Sequence, residues 1–350
     1  MIDLSDLKNY LKQLSEMHGP TGDESEVSGF MKNEFKKHGF KVEEDVLGNV
    51  IARKGKGKRV LFAAHMDEIS LVVSAVTDQG FLKFVRVGGV NEALLPGTRV
   101  LVHADKRLHG VVGTKPPHLM KEEDRKIVLK TDQLFIDVGA KDKKEAEKMG
   151  IKPGVHVTFN SNFVELTPDL VLGKAFDDRA GCAVLLDLAD KAKPTDCELI
   201  LVGTVREETG LFGAGASVFS LDPDLAVSVD VTTCGGTPDI AFDQVPVEIG
   251  KGPVLQVMEA GGRGLIIPKR LVKWLDETAK KHKINLQRDV SEGGASDASR
   301  MQYVKAGFLV GSVGIPCRYV HSQNEIVSLK DLQQASDLLL AASREFKQFK

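Results

Sequence analysis

Two adjacent glutamates, Glu207 and Glu208, follow the apolar stretch Leu199–Val205 and precede Thr209-Gly210. An apolar stretch of this kind predicts a buried strand of an α/β sheet, and ligands of such sheets bind beyond the carboxyl ends of the strands. Carboxylates are costly to bury unless they are paired or coordinate a metal. The pair therefore indicates a cation-binding site at this edge of the sheet.

Other acidic and histidine residues share this context, because each lies at the end of an apolar strand or at the start of a helix. They are His65 with Asp67, Asp177 with Asp178, Asp230, and His321. Histidine and carboxylate ligands without cysteine suit Zn²⁺, Co²⁺ or Mn²⁺. Two metals ~3.5–4 Å apart need one bridging carboxylate and two terminal ligands each. The set meets that count if one aspartate bridges.

One glutamate of the pair is then left over, free to act as a general base. Asp67 is placed two residues after His65, where its carboxylate can orient the imidazole, as metal-ligating histidines almost always require.

Each position alone also has an ordinary structural explanation. A single histidine is more often a core or surface residue than a ligand, and Asp177-Asp178 would serve as the cap and first-turn acid of a helix. Asp230 would equally begin a loop, and the glutamate pair would end a solvated strand. Their recurrence on consecutive elements of one predicted sheet favours the metal site.

The elements that must position these residues alternate between helix and strand near both ends of the chain. Apolar spacing predicts helices over Leu4–Leu14 and Val27–Phe35 and a strand over Arg59–Ala64. After residue 171 the predicted helices are Ala180–Ala192, Pro268–Lys281, Ser296–Ala306 and Lys330–Phe346, and the predicted strands are one ending at Glu207, Leu225–Val231, Ile284–Val290 and Phe308–Gly314. This alternation predicts an α/β domain with helices on both faces of its sheet.

Residues 70–165 have a different pattern, in which short β-like segments are separated by Gly, Pro and Asp. These segments are Phe81–Val87, Arg99–Val102, His109–Gly113, Lys126–Lys130, Gln133–Val138 and His156–Phe159, with one predicted helix at Lys143–Met149. Such spacing is typical of a small barrel or sandwich. We therefore predict a catalytic α/β domain over 1–69 and 166–350, interrupted by an inserted β-rich domain over 70–165.

Composition excludes several classes of function. The 350 residues suffice for more than one domain, and 47 basic against 49 acidic residues give a net charge of -2. That balance argues against nucleic-acid or membrane-surface binding. Four widely spaced cysteines predict reduced thiols, and we find neither a signal-peptide pattern nor a membrane-spanning run. These features predict a cytoplasmic protein.

The motifs that surround these residues resemble those of the tetrahedral aminopeptidase (glutamyl aminopeptidase) family. They are Ala64–Ile69, Gly173–Arg179, Glu207–Ala214, Asp230 and Arg318–Ser322, supported by Gly113–Leu119 and Gly293–Ala298. The resemblance spans nearly the whole chain. Two departures, Ser70 in place of Gly and Gln323 in place of Pro, replace no ligand and bear on loops near the substrate.

The resemblance implies a mixed sheet flanked by helices, of the di-zinc exopeptidase type, with the inserted domain forming dimers. It implies two divalent ions, Zn or Co, per subunit. It assigns His65, Asp177 and Asp230 to one ion, and Asp177, Glu208 and His321 to the other. Glu207 would be the general base, Asp67 would orient His65, and the bond between Asp177 and Asp178 would be cis. Dimers would gather into a tetrahedral dodecamer that admits short peptides.

Three further residues could be proposed as parts of the site, but each has a simpler structural explanation. Cys317 is expected to be a buried thiol rather than a soft ligand. His118 belongs to the inserted domain and is expected in a loop or interface. Arg263, in a glycine-rich loop, is in a position to meet an acidic substrate side chain, but a flexible loop arginine is the more common case.

The predicted function is removal of N-terminal residues from short peptides. A di-metal amidase or deacylase would use the same groups and stays open as an alternative. A glycoside hydrolase would need carboxyls ~5–9.5 Å apart, usually with aromatic platforms, and the chain has one Trp and three Tyr. A non-enzymatic binding protein would not need an intact ligand set with a spare base.

Overall fold

A computed structural model describes residues 4–123, 127–193 and 197–349. The helices are α1 Ser5–Glu16, α2 Ser25–Lys37, α3 Lys143–Lys148, α4 Phe176–Lys191, α5 Phe212–Leu221, α6 Lys269–Lys281, α7 Asp297–Met301 and α8 Leu329–Glu345. None of these is long and apolar enough to cross a membrane. The strands are β1 Lys41–Glu44, β2 Val50–Lys54, β3 Lys58–His65, β4 Ser70–Val76, β5 Leu82–Val87, β6 Arg99–His103, β7 Arg107–Gly113, β8 Phe135–Asp137, β9 His156–Phe159, β10 Val164–Glu165, β11 Leu170–Gly173, β12 Cys197–Thr204, β13 Leu225–Thr233, β14 Val254–Met258, β15 Gln287–Val290, β16 Val310–Arg318 and β17 Glu325–Ser328.

A mixed sheet with helices packed on it forms the larger part of the molecule. Its strand order is β1-β2-β12-β3-β13-β16-β17-β11-β10, and β14 pairs with both β16 and β15. The central strands β12, β3, β13 and β16 are parallel to one another. The apolar residues of β3 and β12 are buried, because helices cover the sheet. The predicted mixed α/β fold is confirmed.

The segment after β3 forms a closed barrel of six strands in the order β4-β5-β8-β7-β6-β9. Its core is separate from that of the large sheet and is built from alternating residues such as Leu71, Val100, Val112, Ile136 and Val157. Of the two architectures that the spacing allows, the segment therefore adopts the barrel. The division at residues 69 and 166, and the role in dimerisation, stay predictions.

Several predicted boundaries differ from the structure. The strand predicted over Lys126–Lys130 is wrong for residues 127–130, which are not in a strand; Lys130 instead bonds to Glu92 through its side chain. Lys126 lies outside the described residues. The first barrel strand, β4, is absent from the predicted set. The helix predicted over Ser296–Ala306 ends at Met301, and the strand predicted over Ile284–Val290 begins at Gln287.

Candidate metal centre

The parallel strands bring their carboxyl ends to one edge of the large sheet, and the predicted ligands meet there. His65 is the last residue of β3, and Asp230 lies within β13. Glu207 and Glu208 follow the end of β12, and His321 follows the end of β16. The sheet topology therefore places residues from distant parts of the chain around one point.

Asp177 lies between the two imidazoles. Its Oδ1 is 3.0 Å from Nε2 of His65, and its Oδ2 is 3.2 Å from Nε2 of His321. The residue occupies non-helical backbone at the start of α4, and its peptide bond to Asp178 is cis, as the sequence analysis expects. Its backbone N–H donates to Oε2 of Glu325 at 3.0 Å. Each carboxylate oxygen of Asp177 thus faces a different imidazole.

The remaining carboxylates lie close to one or the other imidazole. Oε2 of Glu207 is 3.8 Å and Oδ1 of Asp230 is 3.9 Å from Nε2 of His65. Oε2 of Glu208 is 3.5 Å from Nε2 of His321. All five predicted ligands and the predicted base are therefore gathered in one cluster.

Within this cluster, two overlapping groups offer ligand atoms that all lie within 4.8 Å of one another. One group is His65, Glu207 and Asp230, and the other is His65, Asp177 and Glu208. Glu207 thus belongs to one of these groups, whereas His321, a predicted ligand, belongs to neither. The division of the two glutamates into a ligand and a base stays a prediction.

The glutamate pair lies in a turn, where its backbone leaves the sheet. The predicted strand end at Glu207 is wrong by three residues, because β12 ends at Thr204 and Val205 N–H donates to the Asn49 side chain at 3.0 Å. Arg206 then has a φ of 57°. In a regular strand Glu207 and Glu208 would point to opposite faces. The turn allows both side chains to reach the cluster.

Asp67 holds this turn in place. Its Oδ1 accepts the backbone N–H of Glu207 at 3.0 Å, and its Oδ2 accepts that of Glu208 at 3.2 Å. Toward His65 its side chain is more distant: Nδ1 lies 3.5 Å from Asp67 Oδ1 and 3.1 Å from Asp67 backbone O. Asp67 is thus near the imidazole, as expected, but its carboxylate also accepts the N–H groups of the glutamate pair and, at 2.8 Å, the hydroxyl of Thr21.

The electrostatics of the cluster favour positive charge. Burial lowers the pKa of His65, but the charge of Glu207 and the hydrogen bonds to Asp177 and Asp67 outweigh it and raise the pKa well above its ordinary value. The hydrogen bond to Asp177 likewise raises the pKa of His321 to about 9. The imidazoles respond in this way to a site rich in carboxylates.

Carboxyl groups of the cluster resist ionisation together. Burial, and then the neighbouring acids, raise the pKa values of Glu207 and Asp230 well above the usual range and that of Glu208 to about 8. Asp177 is the exception, because the hydrogen bonds from His321 and His65 outweigh its burial and hold its pKa below the ordinary value. Most of these groups therefore lack the positive charge that would stabilise their ionised forms.

The donor set fits divalent cations. Among the described residues, only histidines form ion pairs with these carboxylates; no lysine or arginine lies within ion-pair distance. Oε1 of Glu208 is buried and has no hydrogen-bond partner, which is costly unless a cation lies beside it. Two imidazoles with several carboxylates and no thiolate suit Zn²⁺ or Co²⁺.

A cavity of 890 Å³ opens onto this cluster. Asp177, Glu207, Glu208, Asp230 and His321 line one side of it. Residues of β14, β15 and the loop that leads into α7 also line it. A molecule bound in the cavity would therefore have the predicted metal ligands at one end.

Residues 48–338 match the model of the family described as M42 glutamyl aminopeptidase. The chain belongs to the M42 family. The resemblance to the glutamyl aminopeptidase family is therefore confirmed. M42 peptidases are metallopeptidases, so this M42 chain is a hydrolase of the metal-dependent aminopeptidase type.

Individual relatives agree with this family over most of the chain. The M42 chain is 38% identical over 332 residues to the putative aminopeptidase SgcX of Escherichia coli, covering 92% of this chain and 89% of the relative. It matches the structure of an aminopeptidase from the archaeon Desulfurococcus kamchatkensis with a TM-score of 0.93 and 37% identity, covering 98% and 95% of the two chains. A peptidase of Pyrococcus horikoshii, described as able to assemble into a tetrahedron or a large octahedral shell, matches with a TM-score of 0.88 and 32% identity over 97% and 99% of the chains.

Two further carboxylates of the M42 site support the predicted ligands; Glu325 is not among the sequence candidates, and Asp178 is a candidate without an assigned part in the chemistry. Glu325, at the start of β17, accepts the N–H of Asp177 and, through Oε1, that of His321 at 2.9 Å. Asp178 accepts the N–H of His65 through Oδ2 at 3.1 Å. Both carboxylates therefore fix the backbone that carries the predicted ligands. Asp178 adjoins a predicted ligand in the sequence, whereas nothing near Glu325 distinguishes it from a solvated acid.

Two glycines of the M42 barrel also reach the site. A Cβ on Gly88, whose φ is 77°, would lie 2.9 Å from Oε2 of Glu208. A Cβ on Gly89 would overlap the imidazole of His321. The loop after β5 therefore packs directly against two predicted ligands, and only residues without a side chain fit there. Glycine pairs are common in turns, so the sequence offers no signal for this contact.

Proposed function

We propose that the cluster holds two divalent cations and removes N-terminal residues from short peptides. His65, Asp177 and Asp230 would hold one cation, and Asp177, Glu208 and His321 the other. The supporting observation is the position of Asp177, whose two oxygens lie 3.0 and 3.2 Å from different imidazoles. A carboxylate shared in this way is what a pair of adjacent cations requires.

Bound cations would act as Lewis acids: they would polarise the scissile carbonyl and lower the pKa of a bound water toward ~7. Glu207 is assigned the proton transfers, because its Oε2 is 3.8 Å from His65 Nε2 and its side chain lines the cavity. That oxygen would take a proton from the attacking water and pass it to the leaving amine. Asp67 would keep Glu207 in place through the backbone N–H that it accepts.

A deacylase acting on small acylated substrates would use the same metal-ligating groups. Only a comparison of substrates therefore distinguishes an aminopeptidase from a deacylase. The purified protein, supplied with Zn²⁺ or Co²⁺, should cleave aminoacyl p-nitroanilides and leave their N-acetyl counterparts intact. Faster cleavage of the acetylated compounds would contradict the aminopeptidase proposal and support the deacylase.

A glycoside hydrolase is disfavoured by the cavity. The carboxylates of Glu207, Asp230 and Glu208 each lie within 4 Å of an imidazole, and no Phe, Tyr or Trp is among the described lining residues. A sugar ring would find no aromatic platform there.

The protein is also proposed to be a homo-oligomer, formed from dimers that associate through the barrel and gather into a dodecamer. The similarity to the Pyrococcus horikoshii peptidase supports this proposal. Light scattering should then give about twelve times the 38.0 kDa mass of the chain. A monomer at micromolar concentration would contradict it. The cytoplasmic location stays a prediction.

A further inference from the structure

The part of the cavity that lies beyond the predicted ligands has its own polar groups. Asp230 is on β13, and the strand order from there is β13, β16, β14 and β15. Gln256 on β14 and Asp289 on β15 are register partners in parallel strands, and both line the cavity. Three steps of roughly 4.8 Å separate β13 from β15, about 14 Å in all. A group bound at Asp289 therefore lies well away from the ligands.

Asp289 is a buried carboxylate without a cationic neighbour. Its residue is only 8% exposed, and among the described residues no Lys, Arg or His forms an ion pair with it. Burial raises its pKa, and the backbone N–H of Val290 offsets this only in part. A carboxylate in this state gains most from a positively charged ligand.

Gln256, the register partner of Asp289, offers a second acceptor in the same lining. Its Nε2 donates to Oγ1 of Thr232, and its Oε1 is buried with no hydrogen-bond partner. A Cβ on Gly314 would lie 2.8 Å from Cγ2 of Thr232, so the glycine allows Thr232 to reach this position. The contact with Thr232 fixes the amide so that Oε1 is left for a ligand. An unsatisfied buried acceptor is costly, and a ligand that donates a hydrogen bond would remove that cost.

The other charged residues of the lining also favour a positively charged ligand over a negatively charged one. Glu259 is occupied, since its oxygens accept hydrogen bonds from Ser296 and Ser299. Glu292 is exposed at the mouth of the cavity. The described lining contains no lysine and no arginine, and Arg263 is exposed and not part of it. An acidic side chain would meet carboxylates here and no cation.

From these contacts we infer that Asp289 and Gln256 form the side-chain subsite of the enzyme and select peptides that begin with lysine or arginine. The inference rests on the proposed aminopeptidase function and specifies its substrate class. A terminal ammonium has three donors, of which one would bond to the Asp289 carboxylate and one to Gln256 Oε1. Only a long side chain spans the distance from the ligands to β15. The selected charge is opposite to the one named in the description of the family.

Matched substrates test the charge without altering the protein. The native enzyme, loaded with Zn²⁺ or Co²⁺, is assayed on lysyl, norleucyl, glutaminyl and glutamyl p-nitroanilides. Norleucine has the apolar chain of lysine without the ammonium. The kcat/KM for the lysyl substrate should exceed that for the norleucyl substrate by about 10- to 100-fold, the range of a buried charge-assisted hydrogen bond. The glutamyl substrate should be the poorest of the four.

Equal rates on the lysyl and norleucyl substrates, or the highest rate on the glutamyl one, would overturn the inference while leaving the aminopeptidase function intact. No cleavage of any of the four would overturn the function itself, and the subsite with it. The two failures are therefore distinguishable in one experiment.

A pair of variants locates the subsite. Asp289→Asn keeps the shape and removes the charge, so the ratio of lysyl to norleucyl kcat/KM should fall about 10- to 100-fold. Glu292→Gln removes a carboxylate from the exposed mouth and should change the ratio by less than about threefold, because exposed charges interact weakly. An unchanged ratio in Asp289→Asn, or an equal fall in Glu292→Gln, would contradict the assignment to Asp289. If Asp289→Asn does not fold, the substrate series on the native enzyme decides alone.

Discussion

Glu207 and Glu208 are adjacent in the chain and share one anchor, since Asp67 accepts the backbone N–H of each. Their side chains diverge from there. Glu208 lies beside His321, 3.5 Å from its Nε2, whereas Glu207 lies 3.8 Å from Nε2 of His65. Because both are buried among acids, their positions alone do not assign one as ligand and the other as base. A comparison of matched substitutions does.

Glu207→Gln should leave two cations per chain and lower kcat by about 10²–10⁴-fold, the usual contribution of a general base. Glu208→Gln, the matched control, should lose at least part of the bound metal. Metal analysis after dialysis, together with kcat for an aminoacyl p-nitroanilide, measures both effects. If Glu207→Gln loses metal but keeps its rate per bound metal, the two glutamates have the opposite roles.

At the level of elements, the barrel is part of the site as well as an insertion into the chain. The loop after β5 places Gly88 against Glu208 and Gly89 against His321. His321 itself follows β16 and has a φ of 61°. The backbone around it is held by Glu325, whose Oε1 accepts its N–H. The imidazole is therefore confined between two elements that are distant in the sequence.

Gly89→Ala should displace His321, because the added Cβ would overlap its ring. We expect weaker metal binding and a loss of activity that added Zn²⁺ or Co²⁺ restores only in part. Gly29→Ala is the matched control: nothing lies within 4 Å of a Cβ there, and the position is in helix α2. Alanine is the better helix former, so this variant should keep full activity. Equal activity of the two variants would show that the loop does not constrain His321.

The predicted site depended on patterns that are local in the sequence. Apolar strands followed by His65 or by the glutamate pair predict residues at a sheet edge, because parallel strands end together. What the sequence did not reveal is how elements approach one another. The role of Glu325 and the contact of Gly89 depend on tertiary packing, and neither has a local signal. The end of β12 at Thr204 depends on a hydrogen bond to Asn49, which is far away in the chain.

At the scale of the whole molecule, the barrel and the α/β domain meet through a buried chain of polar groups. Oγ1 of Thr158, on barrel strand β9, lies 2.7 Å from Nδ1 of His18 and 2.7 Å from Nε2 of His103. His18 follows α1, and His103 ends β6. One hydroxyl therefore links two imidazoles across the boundary. Arg107 and Glu26 form an ion pair at the same boundary, nearer the surface.

Acid should weaken this contact. Burial, and then the charge of Lys174, lower the pKa of His18 from 6.5 to about 3. His18 becomes protonated near pH 6.5 in the unfolded chain, but only near pH 3 in the folded protein. The free energy of unfolding should therefore fall between these values, by up to about 1.4 kcal/mol per pH unit from this residue.

Denaturant titrations of native protein and His18→Gln, from pH 7 to pH 4, measure this effect. The variant should be less stable at pH 7 but should show a smaller fall with acid. His109→Gln removes an exposed histidine of the barrel and should follow the native curve. Parallel curves for native protein and His18→Gln would contradict a neutral, buried His18.

Metal titration tests the proposed two-cation centre. The protein is stripped with a chelator, dialysed, and titrated with Zn²⁺ or Co²⁺ while cleavage of an aminoacyl p-nitroanilide is followed. The two-cation site at Asp177 predicts that activity is absent without metal and rises to a plateau at two equivalents per chain. A stripped protein that keeps its full rate, or a plateau at one equivalent, would rule out a two-cation centre.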